Sequence, residues 1–495
     1  MAVSPTLNRA ARILALVSPQ APADAVLRRE LAPRRDLAPS ERREIARAIA
    51  AYFRWLNWLD SNASPQRRVE AALEWQARFD TNPAAIKPEA LAARAVPEWL
   101  ASEMDIIPAA WLRELQCDPA LWIRVRRQFL ESLPRALGDC AAAVSLSLTQ
   151  APRPSTLNPL CPTIEARPST VDPCSSSIVL RPSFLNARFS TLVPRLSTAF
   201  RYTGPRDLYL TNEFQRGQFE IQDLASQLVG WACNPQPGEM WWDACAGEGG
   251  KMLHLADLMQ NKGLIWASDR SMRRLKILKQ RAARAGVFNY RAVPWNGGPQ
   301  PPTRTRFDGI LVDAPCSGVG TWQRNPHARW TISPADVHEL AAVQRQLLDH
   351  VVGALKPGGR LIYAVCTLTR AETNGVAAEF SSSHPELEPV PVFPTAGIPV
   401  QASEGQPTGT EPPRPMNDAC SGSVQISGAG QSDFMGGTPM PCGTGAPPVG
   451  SSERLDPDLR PSGSPVAVQF WPQELKANGM FIAAWRLQSA RLQST

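Results

Sequence analysis

Two cysteines carry the chemistry that this chain can do, and each stands at the end of an apolar run. Residues 307–330 read FDGILVDAPCSGVGTWQRNPHARW. Ile310, Leu311 and Val312 form the unbroken apolar stretch of a strand covered on both faces, and that strand stops on Asp313. Ala314, Pro315 and Cys316 follow at once, so a carboxylate and a thiol stand where open α/β sheets hold their ligands. Residues 360–374, RLIYAVCTLTRAETN, repeat the arrangement with a second apolar strand that ends on Cys366. A thiolate is a nucleophile, and two thiols at strand ends, one with an acid three residues before it, can face a single crevice. Taken singly, each residue has a plainer use: an Asp closing a strand caps a turn, and a lone Pro-Cys is an inert core thiol.

The elements that must position these residues alternate along the chain. A strand over 239–246 contains MWWDACA, and Gly247-Glu248-Gly249-Gly250-Lys251 then opens a helix reading MLHLADLMQ. Glycines at a strand-to-helix turn let the backbone approach a ligand, and the helix N-terminus adds partial positive charge. LIWASD ends on Asp269, where a Rossmann-like sheet places an acid on ribose hydroxyls, and a helix over 271–285 follows. A strand over 290–295 runs into Asn296 and Gly297. Leu340, Val343, Leu347 or Leu348, and Val351 recur at helical spacing in a helix over 333–355 opened by SPADV, which KPGGR ends before the Cys366 strand. Such alternation predicts a parallel, doubly wound α/β sheet. A last strand is expected within 478–488.

Upstream, residues 1–95 read as helices. Residues 8–17 are a short amphipathic run, and Ser40 can cap a longer helix with Glu41 in its first turn. Ile45, Ile49, Tyr52 or Phe53, Leu56 and Leu59 make its apolar stripe, with Arg42, Arg43, Arg47 and Arg54 among the polar positions. Residues 96–205 suggest a helix, a strand at 121–125 and another helix, in a small α+β subdomain interrupted at 150–175 by a Pro/Ser/Thr-rich insertion holding Cys161 and Cys174. The domain over 206–495 carries a second insertion at 399–465, rich in Gly, Pro, Ser and Thr.

At 495 residues the chain is too long for one ordinary domain. A net charge of +7 favours a polyanionic partner, weakly. Ten cysteines without a CxxC pair and five histidines argue against a disulfide scaffold and a metal site. No stretch approaches a membrane span and no secretory leader is evident, so a cytoplasmic protein without membrane or metal is expected.

DAPCSGVGT followed by Arg324, Pro326, Arg329 and Trp330 resembles the fourth motif of the RsmB/Nop/Sun family of RNA cytosine-5 methyltransferases, and VCTLTRAET its sixth. Residues 1–95 resemble the NusB-like helical domain of the family's RsmB branch, and 96–205 its small RNA-recognition-like subdomain. Gln222, Asp223, Ser226 and Gln227 match the segment leading into the cofactor domain. CAGEGGK resembles the cofactor loop CAAPGGK, with Gly247 and Glu248 in place of Ala and Pro, which adds flexibility and a negative charge near a sulfonium cofactor. The resemblance implies a class I methyltransferase domain that binds S-adenosylmethionine through Cys245, Ala246, Gly247, Glu248, Gly249, Gly250, Lys251, Asp269, Asn296 and Asp313. It implies Cys366 as nucleophile, Asp313 on the base edge, Cys316 in proton removal and release, and Lys251 and Arg324 as sources of positive charge. Arg324, Arg329 and Arg43 are the expected RNA contacts. Glu372 matches the family, Thr373 stands where it has Asn, and both are expected to cap the next helix; Cys233 and Cys245 are expected to pack. The implied partner is RNA, ribosomal RNA of the small subunit first and transfer RNA second, bound by a monomer. A DNA cytosine-5 methyltransferase would use Cys316 as nucleophile and carry a downstream Glu-Asn-Val, absent here. An RNA-binding assembly factor without turnover is the reading of a different class.

Overall fold

The computed structural model describes residues 5–18, 20–31, 37–142, 195–393 and 466–489. The two expected insertions, with Cys161 and Cys174, lie outside the described residues.

The N-terminal part is helical, with main helices Pro5–Leu14, Ala23–Leu31, Pro39–Arg54, Pro65–Thr81 and Pro88–Arg94. Ala10, Ile13, Val26, Ile45, Ile49 and Val69 bury one shared core, as the apolar stripe requires. The third helix begins before Ser40: Ala38 is its N-cap, Pro39 supplies the pre-set first turn, and Glu41 accepts the Ala38 N–H at 2.8 Å. Arg54 does not share the solvent face of Arg43 and Arg47. It is 1% exposed and donates to Asp118 at 2.6 Å.

A small antiparallel sheet follows, from β1 (Leu121–Val125), β2 (Cys140–Ala142), β3 (Ala199–Tyr202) and β4 (Phe219–Ile221), in the order β2-β3-β1-β4. The second sheet contains β5 (Met240–Asp243), β6 (Leu264–Asp269), β7 (Tyr290–Pro294), β8 (Phe307–Asp313), β9 (Leu355–Val365), β10 (Leu387–Pro389), β11 (Ala467–Phe470) and β12 (Met480–Leu487). Its order is β10-β12-β9-β8-β5-β6-β7, with β11 also on β12. Strands β5 to β9 are parallel, whereas β12 runs antiparallel to β9 and to both short strands. The sheet is therefore mixed at one side.

One face is covered by helices Leu224–Cys233, Gly250–Leu258 and Met272–Arg284, the other by Pro334–Val352 and Val376–Ser383. This double cover explains why β8 is apolar throughout its middle. Helix Pro334–Val352 stops before the expected 355, and KPGGR is drawn into β9, where Leu355 pairs with Phe307. Strands β5 and β7 are likewise shorter than their apolar runs, ending at Asp243 and Pro294.

Candidate active site

Three adjacent parallel strands end on acids: β8 on Asp313, β5 on Asp243 and β6 on Asp269. On the other side of β8, β9 ends at Val365 and delivers Cys366 to the same rim. The loops beyond these ends are tied to one another. Gly320 N–H donates to Cys366 O at 3.1 Å, and Gly479 N–H to Gly320 O at 2.8 Å. A Cβ on Gly320 would lie 2.4 Å from Gly479 O, so that approach requires glycine.

The two strand-end sulfurs meet, with Cys316 Sγ 3.4 Å from Cys366 Sγ. Beside them Lys251 Nζ donates to Asp313 Oδ2 at 2.6 Å. The hydrogen bond from Cys316 lowers the Cys366 thiol below its ordinary value, against burial and Asp313, which raise it, and with a smaller lowering contribution from Lys251. Cys316 is pushed well up by the same bond, by burial and by Glu372. The pair thus holds one proton on Cys316 and leaves Cys366 the better nucleophile. Burial would lower the Lys251 ammonium, but Asp313 reverses this and raises it.

Glu372, fully buried, does not cap a helix. It accepts from Ser317 N–H at 2.8 Å, Gln344 Nε2 at 3.0 Å, Thr369 Oγ1 at 2.8 Å, Thr367 Oγ1 at 3.2 Å and, at short range, the Ser317 hydroxyl. Gln344 also donates to Pro315 O at 2.9 Å, and Tyr363 donates to Gln344 Oε1 at 2.9 Å and to the Glu372 carbonyl at 2.6 Å. One carboxylate therefore joins the loop of Cys316 to the loop of Cys366 from behind. Thr373 instead donates to Thr369 O at 2.6 Å, within its own turn. A glutamate six residues after a strand-end cysteine was visible in the sequence, but its partners come from three separate segments.

On the cofactor side, Gly247 and Gly249 have φ of 55° and 88°, and a Cβ on Gly249 would come 2.7 Å from Leu278. Asp269 accepts from Gly247 N–H at 3.1 Å and Ser271 N–H at 2.7 Å. Glu248 is exposed, so its charge is at the solvent side of the loop. Cys245 is half-buried in the core against β8 and β9, and Cys233 is buried. Asn296 is exposed and turns its carbonyl back onto Gly298 N–H at 3.0 Å. Asp243, absent from the sequence-based selection, is 0% exposed, and its carboxyl oxygens make no well-formed hydrogen bond. Burial, with Asp313 and Asp269 adding to it, pushes this acid up to about 8. Its signal in the sequence was the one used for Asp269 and Asp313, an acid closing an apolar strand.

The expected RNA contacts separate. Arg43 is exposed and, among the described residues, reaches only Pro205 O at 3.4 Å. Arg324 is partly exposed and bridges Ala120 O and Asp223, each at 3.3 Å, while Asp223 is raised by burial despite that arginine. Arg329 is 0% exposed and donates to Ala95 O at 2.8 Å, Leu115 O at 3.1 Å and Trp322 O at 3.5 Å. It cannot touch RNA and is withdrawn from that set. Trp330 Nε1 donates to Phe53 O at 2.7 Å, and Trp322 stacks on Trp111 at 6.4 Å. The cluster after Cys316 thus seats the helical region on the sheet.

Fold and site together define a Rossmann-like domain with a glycine-rich cofactor turn beside a paired-cysteine crevice. The family described as 16S rRNA methyltransferase RsmB/F matches residues 231–486, just over half of the chain, and the chain belongs to this family. Among curated relatives, a probable ribosomal RNA small subunit methyltransferase B of Bacillus subtilis is 39% identical over 181 residues, 36% of this chain and 40% of the relative. The mouse tRNA (cytosine(72)-C(5))-methyltransferase NSUN6 is 35% identical over 226 residues, 42% of this chain and 46% of the relative. The chain therefore matches less than half the length of these relatives. The crystal structure titled PH0851 shares the fold, with a TM-score of 0.60 at 18% identity, over 98% of this chain and 99% of that one.

Proposed function

We propose that this protein methylates carbon 5 of cytosine in RNA, with small-subunit ribosomal RNA as the substrate, through a covalent adduct to Cys366. The observation that carries this reading is the 3.4 Å approach of two strand-end sulfurs beside the Lys251–Asp313 pair. The Cys366 thiolate adds to carbon 6 of the flipped-out base, and the displaced electron pair makes carbon 5 nucleophilic. Asp313 hydrogen-bonds the base edge as the ring takes up charge. S-adenosylmethionine supplies the electrophilic methyl group when bound. The turn at Gly247–Gly249, Asp269 and the under-satisfied Asp243 fit such a ligand, with Cys245, Ala246, Glu248, Gly250, Lys251, Asn296 and Asp313 around them. Cys316 takes the carbon 5 proton after passing its own to solvent, and the C6–S bond breaks to return the Cys366 thiolate.

The helical region serves as a NusB-like RNA-binding domain, with Arg43 on its exposed side, and the small sheet as an RNA-recognition-like subdomain. The proposed setting is a cytoplasmic monomer; among the described residues no helix is long and apolar enough to cross a membrane. The name of the mouse relative favours transfer RNA as a second substrate class.

Labelled methyl transfer to ribosomal RNA and to transfer RNA, read separately, tests both. Cys366→Ser should abolish transfer, and Cys316→Ala should accumulate a protein–RNA adduct on a denaturing gel. Normal turnover by Cys366→Ser would overturn the mechanism. No detectable S-adenosylmethionine binding, with RNA binding intact, would favour an assembly factor without turnover.

A further inference from the structure

The positive charge of this chain is concentrated in one segment. Residues 270–307 contain ten of its 52 Lys and Arg and none of its 45 Asp and Glu, so the remainder carries more acid than base. They build helix Met272–Arg284, edge strand β7 and the approach to β8. Some of these cations are structural. Arg281 and Arg284 turn onto Glu220, and Arg306 donates to Leu355 O at 3.0 Å. Arg274 comes no closer than 3.9 Å to Asp269. Arg273, Lys276 and Lys279 are exposed and have no carboxylate within ion-pair distance among the described residues.

Like charges three residues apart destabilise a helix, and no acid on this one relieves them. A polyanion laid along the face would. The three positions rise about 4.5 Å at each step, comparable with phosphate spacing along a strand. Large apolar side chains flank them: Met272 is 62% exposed and Phe288 76%, available for stacking on bases. Ser271 caps the helix two residues after Asp269, on the rim that holds the cysteine crevice, and β7 lies three strands from β8, about 14 Å. That distance is a few nucleotides.

We propose that the outer face of helix Met272–Arg284, with Phe288, is a docking surface for the phosphate backbone of single-stranded RNA flanking the target base. The inference rests on the RNA substrate proposed above, and assigns that substrate a path away from the crevice over the cofactor side of the sheet.

The test uses the full chain with Arg273→Gln, Lys276→Gln and Lys279→Gln combined, and a mixed-sequence single-stranded RNA of about 30 nucleotides as probe, titrated at several salt concentrations. Loss of three phosphate contacts should weaken binding about tenfold near 0.1 M salt. It should also reduce the slope of log affinity against log salt by about 2. S-adenosylmethionine affinity by calorimetry and the melting temperature should not change, since all three side chains are exposed. Lys276→Glu alone, in protein that melts normally, should flatten the slope in the same direction. Unchanged RNA affinity and slope would overturn the surface, as would a change confined to sedimentation, which would make the face a contact between copies. Wild-type protein that binds RNA through this face yet transfers no methyl group would leave the surface standing and remove the proposed reaction.

Discussion

The polar residues of one motif take opposite courses within eighteen positions. Asp313 and Cys316, at and just beyond the end of β8, stay at the open rim of the sheet, where Cys316 meets Cys366. Arg329 and Trp330 turn away from it and hold the helical region by main-chain carbonyls. A strand end directs a side chain by the geometry of the sheet, whereas a loop residue goes wherever an unsatisfied partner waits. Residue type alone therefore marks both halves as functional, and only packing separates chemistry from support.

The largest expected effects test that separation. Glu372 supports the crevice from behind, so Glu372→Ala should leave the Ser317, Thr369 and Gln344 donors buried and unpaired, costing about 3–5 kcal/mol. Methyl transfer should fall by at least about 100-fold, and Glu372→Gln, equal in size, should recover stability more than activity. Arg329→Met should cost about 2–4 kcal/mol by orphaning the Ala95 and Leu115 carbonyls, while RNA affinity of the folded protein is unchanged. Thermal melting and filter binding on both variants decide the matter. Loss of RNA affinity in a stably folded Arg329→Met would erase the distinction between the two halves.

A smaller effect sharpens the crevice side. Because its thiol is held below the ordinary value, Cys366 should be alkylated by iodoacetamide at lower pH than a free cysteine. Removing the cause moves the profile the other way: Cys316→Ala should shift it to higher pH, and Lys251→Met should do so by less. A profile that stays in place in both variants would mean that the sulfurs do not share a proton.

Much of the sheet was legible because its strands are apolar runs that stop on chemistry-bearing residues. β1, β6 and β8 fall where the pattern put them, and β12 lies beside β9 as expected. Boundaries failed where local signals competed: Ser40 looks like a cap, but Pro39 starts the helix earlier, and KPGGR looks like a turn, but pairing with β8 extends the strand. The convergence of Cys316 and Cys366 was readable from two similar strand ends. The role of Glu372 was not, since Ser317, Gln344 and Thr369 become neighbours only after the sheet and helix Pro334–Val352 have packed. The same holds for Arg329, whose two shorter carbonyl contacts, to Ala95 and Leu115, lie more than 200 residues upstream.

Asp243 provides the finest test, because it stands at a strand end like Asp313 yet is sealed from solvent. Its folded value is raised to about 8 from 3.8, so the folded chain keeps a proton that the unfolded chain has released at neutral pH. The contribution is present in full below about pH 4 and is lost as pH climbs through about 8, so stability should decline over that window. Asp243→Asn removes the titration. It should raise cofactor-free stability at about pH 7.5, read as a higher melting temperature, and leave the acid end of the profile unchanged. Melting curves across pH for both proteins measure this directly. If S-adenosylmethionine satisfies the carboxyl group, its addition should narrow the gap between them; parallel profiles with and without the substitution would show that Asp243 is hydrated in solution and belongs with Asp313 after all.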